Sequence, residues 1–389
     1  MEFKESERNM TIKLNGRIDS INAATWEKSI EDQLTETDAK SIVFDAEELQ
    51  YISSAGLRVI LRVKKNHPDL TIKNVNAEVY DIFEMTGFTE MMKIEKAYRV
   101  VSVEGCEVIG EGYNGKVYRI DRDNVVKVYK NADSLPAIQH EREVARLALI
   151  LGIPTAISYD VVRVGESFGS VFELLNAQSF SKILAEQPER IDWCVKEYVD
   201  LMKKLHETEV PAGKLPSAKQ KALNVTAQMK DALPDGLGDK LERMMQEIPE
   251  SNQMIHGDYH TKNIVLANDE VLLIDMDTLS VGNPIFELAQ VYNAYVGFSE
   301  YDPEIVWQFQ GFDANVADAF WKKSLQAYFQ TQDEAELQKI ESKVRCVAYA
   351  FLIAWNLEEE EKNEEDQKTL ELWMKRLCGL LREVDTLII

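Results

Sequence analysis

Between His256 and Asp277 the chain reads HGDYHTKNIVLANDEVLLIDMD, and no other stretch limits its architecture so tightly. Asn263 and Asp275 follow Asp258 by 5 and 17 residues. The apolar runs between them read as a β-hairpin, which separates the amide from the second carboxylate. Two carboxylates and an amide spaced in this way suit one general base and two ligands of a magnesium ion.

A second set of residues lies upstream. Gly110, Gly112 and Gly115, followed by Val117, fall in GEGYNGKV. Glycines let a hairpin lie close over phosphate groups and offer backbone N–H donors to them. This loop sits between two strand-like runs, Cys106–Ile109 and Lys116–Ile120, and not before a helix. That placement disfavours the dinucleotide-binding version of the pattern. Lys127 lies in the strand VVKVYK, with Val125 and Tyr129 on its face. A lysine among apolar residues is costly to bury unpaired, and a helix carboxylate is its expected partner. The next helix offers Glu143, the preferred partner, and Glu141, the alternative. Two residues apart on a helix, they cannot both face the lysine.

At 389 residues the chain is long enough for two or three domains. No apolar run reaches the roughly 18 residues of a membrane span. The segment MEFKESERNM has no apolar signal-peptide core. Cys106, Cys194, Cys346 and Cys378 are far apart and form no metal-ligand pattern, which points to a reducing cytoplasm. The net charge is −23. Residues 1–100 carry 14 basic and 18 acidic residues, so −19 belongs to residues 101–389. Such acidity argues against binding to nucleic acid or an anionic membrane. It gives a cationic substrate only weak support, since solubility explains it as well.

The first hundred residues alternate between strand and helix signals. Met10–Leu14, Ser41–Phe44 and Leu70–Val75 read as strands, and Ile21–Leu34, Leu57–Val63 and Val79–Met85 as helices. This order implies a small, mixed and largely parallel sheet covered by helices. A boundary is expected near Tyr98–Val103. Strands then dominate to about Glu173, with one helix over Ile138–Leu151, and helices dominate beyond. Asp192–Glu207 is amphipathic, and three more helices follow Ala314. The acidic run Glu358–Asp366 reads as a solvated helix end or connection. Histidine metal ligation is not expected. His256 and His260 share a loop, and His256 is better placed to hydrogen-bond the backbone that shapes it.

Residues from about 100 to 389 resemble the aminoglycoside phosphotransferase and choline kinase-like family, relatives of the protein kinases. The family pattern H-G-D-x-x-x-x-N followed by I-D-x-[DE] is met by His256, Gly257, Asp258, Asn263, Ile274, Asp275 and Asp277. The resemblance implies an α+β two-lobed fold that binds ATP and Mg2+ and passes phosphate to the hydroxyl of a small molecule. It makes Asp258 the base and Asn263 and Asp275 the metal ligands, assisted by Asp277. Gly110, Gly112, Gly115, Val117, Lys127 and Glu143 would hold the nucleotide phosphates. Backbone near Glu173 and Leu175 would meet adenine. GNPIFELA resembles the family's G-x-P-x-x-D-L-A, with Glu287 where aspartate is usual, a structural carboxylate. About eight residues separate Asp277 from the next helix, near Ile285, so there is no room for the activation segment of a protein kinase. Gly257 also stands where protein kinases usually carry arginine.

Residues from 1 to about 97 resemble the STAS domain of anti-sigma factor antagonists, through DAEELQYISSAGLRVILRV from Asp45. The resemblance places the family's phosphorylated serine at Ser54, with Ser53 in place of the usual preceding aspartate. Ser54 would sit at a helix N-terminus, where a phosphate is favoured by free N–H groups and the helix dipole. Ser53 or Ser54 could equally be the helix cap. The expected organisation is a STAS-like regulatory domain at 1–99, a kinase-like N-lobe at 100–176 and a helical C-lobe at 177–389. The expected protein is a cytoplasmic transferase coupled to a protein partner through its STAS domain. The rival readings are a signalling adaptor whose kinase-like part acts on a protein or senses nucleotide, and a catalytically silent scaffold.

Overall fold

The computed structural model describes residues 9–35, 41–112, 115–131, 133–358 and 363–389. Most of MEFKESERNM, the tip 113–114 of the Gly-rich loop and residues 359–362 of the acidic run lie outside these. The chain divides into two compact units. One comprises 1–106 with 161–169, and the other 107–160 with 170–389.

The first unit is built on strands β1 (Asn9–Ile18), β2 (Ser41–Ile52), β3 (Thr71–Val75) and β4 (Ile94–Lys96), in the spatial order β1-β2-β3-β4. All three pairings are parallel. Helices α1 (Ala23–Thr35), α2 (Ser54–Asn66), α3 (Ala77–Met85) and the single turn α4 (Phe88–Met91) connect them. Side chains alternate across a strand. Ile12, Leu14, Ile42, Phe44 and Ala46 accordingly form one core with Ile60 and Val63 of α2 and Val79 and Phe83 of α3. The sequence expectation ends the second strand at Phe44. It runs eight residues further because β1 stays paired to it as far as Ile18↔Ile52, through register shifts around Glu47 and at Gln50, while the exposed Glu48 stays in register with Asn15. A short parallel pair, β5 (Arg99–Val100) with β9 (Asp160–Val164), also belongs to this unit.

Ser53 is the cap of α2. Its side chain accepts from the N–H of Ala55 at 3.2 Å and of Gly56 at 3.5 Å. Ser54 is the first helical residue and is exposed. Gly56 marks the closest approach of α2 to the sheet. A Cβ there would stand 2.7 Å from Ile52 Cγ1, 2.8 Å from Ile18 Cγ2 and 2.9 Å from the Ile18 carbonyl oxygen.

In the second unit β6 (Glu107–Glu111), β7 (Gly115–Arg119) and β8 (Asn124–Tyr129) form an antiparallel meander. β10 (Ser167–Glu173) lies on the other side of β8. Helix α5 (Leu135–Ile150) follows β8 in the chain. Beyond β11 (Ala177–Ser179) come α6 (Phe180–Glu186), α7 (Ile191–Glu207), α8 (Ala218–Met229) and α9 (Leu237–Glu247). Three short elements follow: β12 (Met254–Ile255) and the hairpin β13 (Ile264–Ala267) with β14 (Glu270–Leu273). β15 (Ser280–Val281) pairs back on β12, and α10 (Ile285–Tyr292) opens the final helical set. That set continues with α11 (Glu304–Gln310), α12 (Ala314–Phe329), α13 (Glu334–Glu358) and α14 (Glu364–Glu383). α7 buries Cys194, Tyr198, Leu201, Met202 and Leu205, the face its spacing predicts. No helix among the described residues is long and apolar enough to cross a membrane.

Gly56→Ala should destabilise the first unit by about 1–3 kcal/mol, because the new methyl collides with backbone as well as side chains. Ser53→Ala should cost about 1 kcal/mol and Ser54→Ala only a few tenths, since only the former removes a cap. Urea denaturation of the three variants checks both statements.

Candidate active site

The site residues converge in the second unit, around the loop that joins β12 to β13. Backbone geometry makes this loop. Gly257 has φ 81°, and a Cβ on it would lie 2.8 Å from the carbonyl oxygen of Thr278. Glycine is therefore required on both counts. Glu287 on α10, fully buried, accepts from the backbone N–H groups of His256 and, at 3.0 Å, Gly257. Thr278 Oγ1 donates to the His256 carbonyl at 2.7 Å. His256 is buried, and that burial lowers its pKa despite the neighbouring carboxylates. The neutral ring fits its contacts: Nε2 donates to the Ile274 carbonyl at 3.3 Å, and Nδ1 accepts from Asp258 N–H at 3.3 Å. It thus shapes the loop as its sequence position predicts.

The loop is also clamped from α7. Tyr198 OH donates to the Tyr259 carbonyl at 2.9 Å, and Tyr259 OH donates to the Tyr198 carbonyl at 2.7 Å. Tyr295 OH accepts from Thr261 N–H at 2.9 Å. Tyr295 sits in a π-helical turn, Asn293–Gly297, that extends α10. Such turns recur at functional sites. Sequence reasoning missed Tyr198 and Tyr295 as loop anchors, because nothing local distinguishes them from ordinary core aromatics.

Asp258 is half-exposed, and its carboxylate meets two partners. His260 Nε2 lies 3.3 Å from Oδ2, and Asn263 Nδ2 donates to the same oxygen at 3.1 Å. Burial pushes the Asp258 pKa up, but His260 and Asn263 outweigh it and hold the carboxyl below its ordinary value. The Asn263 amide nitrogen also donates to the Asp258 carbonyl at 3.0 Å. With its NH2 committed in this way, the side-chain oxygen is the group left for a cation.

Asp275 follows β14 in the left-handed region, at φ 62°. Lys127 on β8 reaches it, Nζ to Oδ1, at 2.7 Å. The same ammonium bonds both carboxylate oxygens of Glu141 on α5, at 3.0 and 3.2 Å. Tyr129 OH completes the group by donating to Glu141. Burial works to lower the Lys127 pKa, but Glu141 and Asp275 overcome it and keep the lysine charged. The preferred partner of the sequence analysis, Glu143, is corrected here. Glu143 is exposed, while Glu141 is buried and carries the contact. The buried stripe of α5 is Ile138, Glu141, Val144, Ala145 and Ala148, which leaves the exposed Glu143 off it.

Asp277 has its pKa pushed up to about 6, first by burial and then by the charges of Asp275 and Glu141. Among the described residues no three His, Cys, Asp or Glu side chains are grouped to hold a metal alone. Asp275, the Asn263 side-chain oxygen and Asp277 would offer hard oxygen donors. Such donors suit a magnesium ion, which takes one or two carboxylates from the protein and completes its shell with water and phosphate oxygens.

The Gly-rich hairpin is irregular. Ile109 falls in a register shift between Val108↔Tyr118 and Gly110↔Val117. Gly112 N–H donates to the Gly115 carbonyl at 2.9 Å. Gly115 is required by packing, since a Cβ would lie 2.2 Å from the Val128 carbonyl oxygen. At Gly112 a Cβ would meet no protein atom within 4 Å. Of the residues expected near adenine, Glu173 ends β10, and Leu174 N–H between it and Leu175 donates to the Asp123 carbonyl at 2.7 Å.

Removing Glu141 should destabilise the second unit by about 3 kcal/mol, because a buried ammonium loses a partner. Glu143→Ala should fall within about 0.5 kcal/mol of the parent. Denaturation of the two alanine variants measures the difference directly.

Comparison with known proteins places the chain in a family. The Phosphotransferase enzyme family (APH) matches residues 105–332, and the STAS domain matches residues 1–100. The putative anti-sigma factor antagonist BtrV of Bordetella bronchiseptica is 33% identical over 85 residues, 21% of this chain and 72% of the relative. Among solved structures, the ADP-bound aminoglycoside phosphotransferase APH(2'')-Ib aligns at 14% identity and a TM-score of 0.48, covering 77% of this chain and 98% of its own. A choline/ethanolamine kinase family protein from Mesorhizobium loti aligns at 15% identity and a TM-score of 0.44, covering 72% of this chain and 88% of its own. The chain belongs to the phosphotransferase enzyme family, with a STAS domain in its first hundred residues.

Proposed function

We propose that the second unit transfers the γ-phosphoryl group of MgATP to a hydroxyl of a small molecule. The observation that carries this reading is the Lys127–Asp275 ion pair at 2.7 Å, with Glu141 behind it. It joins a strand lysine of the N-lobe to a carboxylate of the C-lobe. MgATP supplies the activated phosphoryl group and the cation that offsets its charge. Lys127, held charged, is suited to bind phosphate oxygens. Asn263 and Asp275 would hold the cation, with Asp277 beside them. Asp258 would orient the acceptor hydroxyl and take its proton. Its lowered pKa keeps it ionised at neutral pH, the form a base needs. Positioning and electrostatic stabilisation then carry the catalysis. Only seven residues lie between Asp277 and Ile285, which supports a small acceptor over a docked peptide.

The first unit, we infer, places the transferase under the control of a protein partner in the cytoplasm. The likeness to a putative anti-sigma factor antagonist supports this. Ser53 does the capping, so the exposed Ser54 is the hydroxyl we assign as the phosphorylated switch. A phosphate there adds about −2 charge to the helix end. Phosphopeptide mass spectrometry on protein from its native cells should find the modification. An unmodified Ser54 under every growth condition would reject the switch and leave the transferase reading untouched.

Isothermal titration calorimetry should show MgATP binding, weakened in Lys127→Ala and, in a magnesium-dependent way, in Asp275→Asn. Asp258→Asn should lower transfer by roughly a hundredfold or more while leaving MgATP binding nearly intact. Gly112→Ala should weaken MgATP binding without changing the melting temperature, whereas Gly115→Ala should lower that temperature. No MgATP binding by the parent protein up to millimolar concentration would overturn the proposal.

A further inference from the structure

A cleft of about 390 Å3 opens beside the 256–263 loop, between α6 and α11. Its walls include Ser181, Lys182, Lys262, Phe309 and Gln310. The cleft is shallow and open to solvent, so it suits one end of a small compound and not its enclosure. The cleft is joined to Asp258 through one imidazole. The His260 ring packs edge-on against Phe309 at 4.9 Å, and its Nε2 lies 3.3 Å from Asp258 Oδ2.

The floor is a buried polar knot. Ser181 Oγ and Thr261 Oγ1 are 2.8 Å apart, and both contact one end of the Gln310 amide, at 3.1 and 2.8 Å. Gln310 is 2% exposed, and the other end of its amide has no partner among the described residues. That nitrogen is itself fully buried, so a ligand group reaches it only if the Gln310 side chain turns toward the cleft. Among the described residues no carboxylate lines the cleft, although the chain as a whole carries −23. Two lysines do. Lys262 forms no ion pair among the described residues, and its Nζ sits over the Phe309 ring at 4.9 Å. Among the described residues Lys182 has one ion contact, with Glu186 at the surface, at 3.9 Å. A choline-like cation would find the Phe309 face already covered by an ammonium and would meet two like charges. A carboxylate or phosphate would meet two ammonium donors, the stronger class of hydrogen bond.

From this we infer that the cleft is the acceptor subsite, and that it takes an anionic group carried by the hydroxyl compound, such as the carboxylate of a hydroxy acid or the phosphate of a sugar phosphate. The inference rests on the transferase reading above and names its substrate class. It runs against the cationic preference that the chain's overall acidity suggests.

The test uses the full chain with MgATP and two matched acceptor sets: glycerol, glycerate, glycerol phosphate and choline; glucose, glucuronate, glucose phosphate and glucosamine. The readout is the ratio of kcat/KM for anionic over cationic members, taken within each variant so that partial misfolding cancels. The parent should prefer the anionic members, and comparison of carboxylates with phosphates identifies which anion fits. Lys182→Glu combined with Lys262→Glu should lower the ratio at least about tenfold, the loss expected for a charge-assisted contact. Lys262→Arg should preserve it. A parent that prefers choline or glucosamine, or a ratio unmoved by the double reversal, overturns the inference. So does a parent that binds MgATP by calorimetry yet neither phosphorylates nor binds any anionic member. Failure to bind MgATP at all would instead sink the transferase reading.

Discussion

A buried carboxylate holds the site together. Glu287 has no solvent exposure and accepts from the backbone N–H groups of His256 and Gly257. Burying a charge without partners is prohibitive, so these two N–H groups and the carboxylate need one another. Asp258, Asn263 and, through Ile274 N–H bonded to the Asn263 carbonyl at 2.9 Å, the approach to Asp275 all hang from that anchored backbone. Glutamate stands where the family pattern has aspartate. Here its longer side chain reaches both amides, and His206 lies 3.9 Å from the same carboxylate.

A second anchor acts from the other side of the site. Tyr129, Glu141, Lys127 and Asp275 form a continuous chain of polar contacts from β8 and α5 to the end of β14. The lysine has two carboxylates competing for it. Electrostatic preorganisation of this kind is the largest share of what a phosphoryl-transfer site contributes.

Much of this was legible in the sequence, and the reasons differ by element. The order Gly-rich hairpin, strand lysine, HGD loop and IDMD turn survives because each part is a local motif with its own backbone requirement. Three of the four parallel strands were legible, two of them through alternation in Ile12 and Leu14 and in Ile42 and Phe44; the three-residue β4 is too short to carry a pattern. What escaped depended on three-dimensional packing. The extension of β2 to Ile52 was hidden because Glu47 and Glu48 interrupt the apolar pattern, and only pairing with β1 carries the strand past them. Glu141 and Glu143 are chemically identical, and the choice between them follows from which stripe of α5 is buried. Ile138, Val144, Ala145 and Ala148 contained that information. Gln310 and Tyr295 lie 49 and 34 residues from Thr261, which they hold, and no local pattern announces either.

Gly257 has a further consequence for how such a protein can be regulated. Protein kinases usually carry arginine at this position, where it reads phosphate on an activation segment. In this backbone the position is left-handed and is faced at 2.8 Å by a carbonyl oxygen. No single substitution can install that sensor, because any side chain requires Thr278 and the loop to be rebuilt together. The route to control through an activation segment is thus sterically closed, and a signal that governs the catalytic unit has to arrive through some other part of the chain.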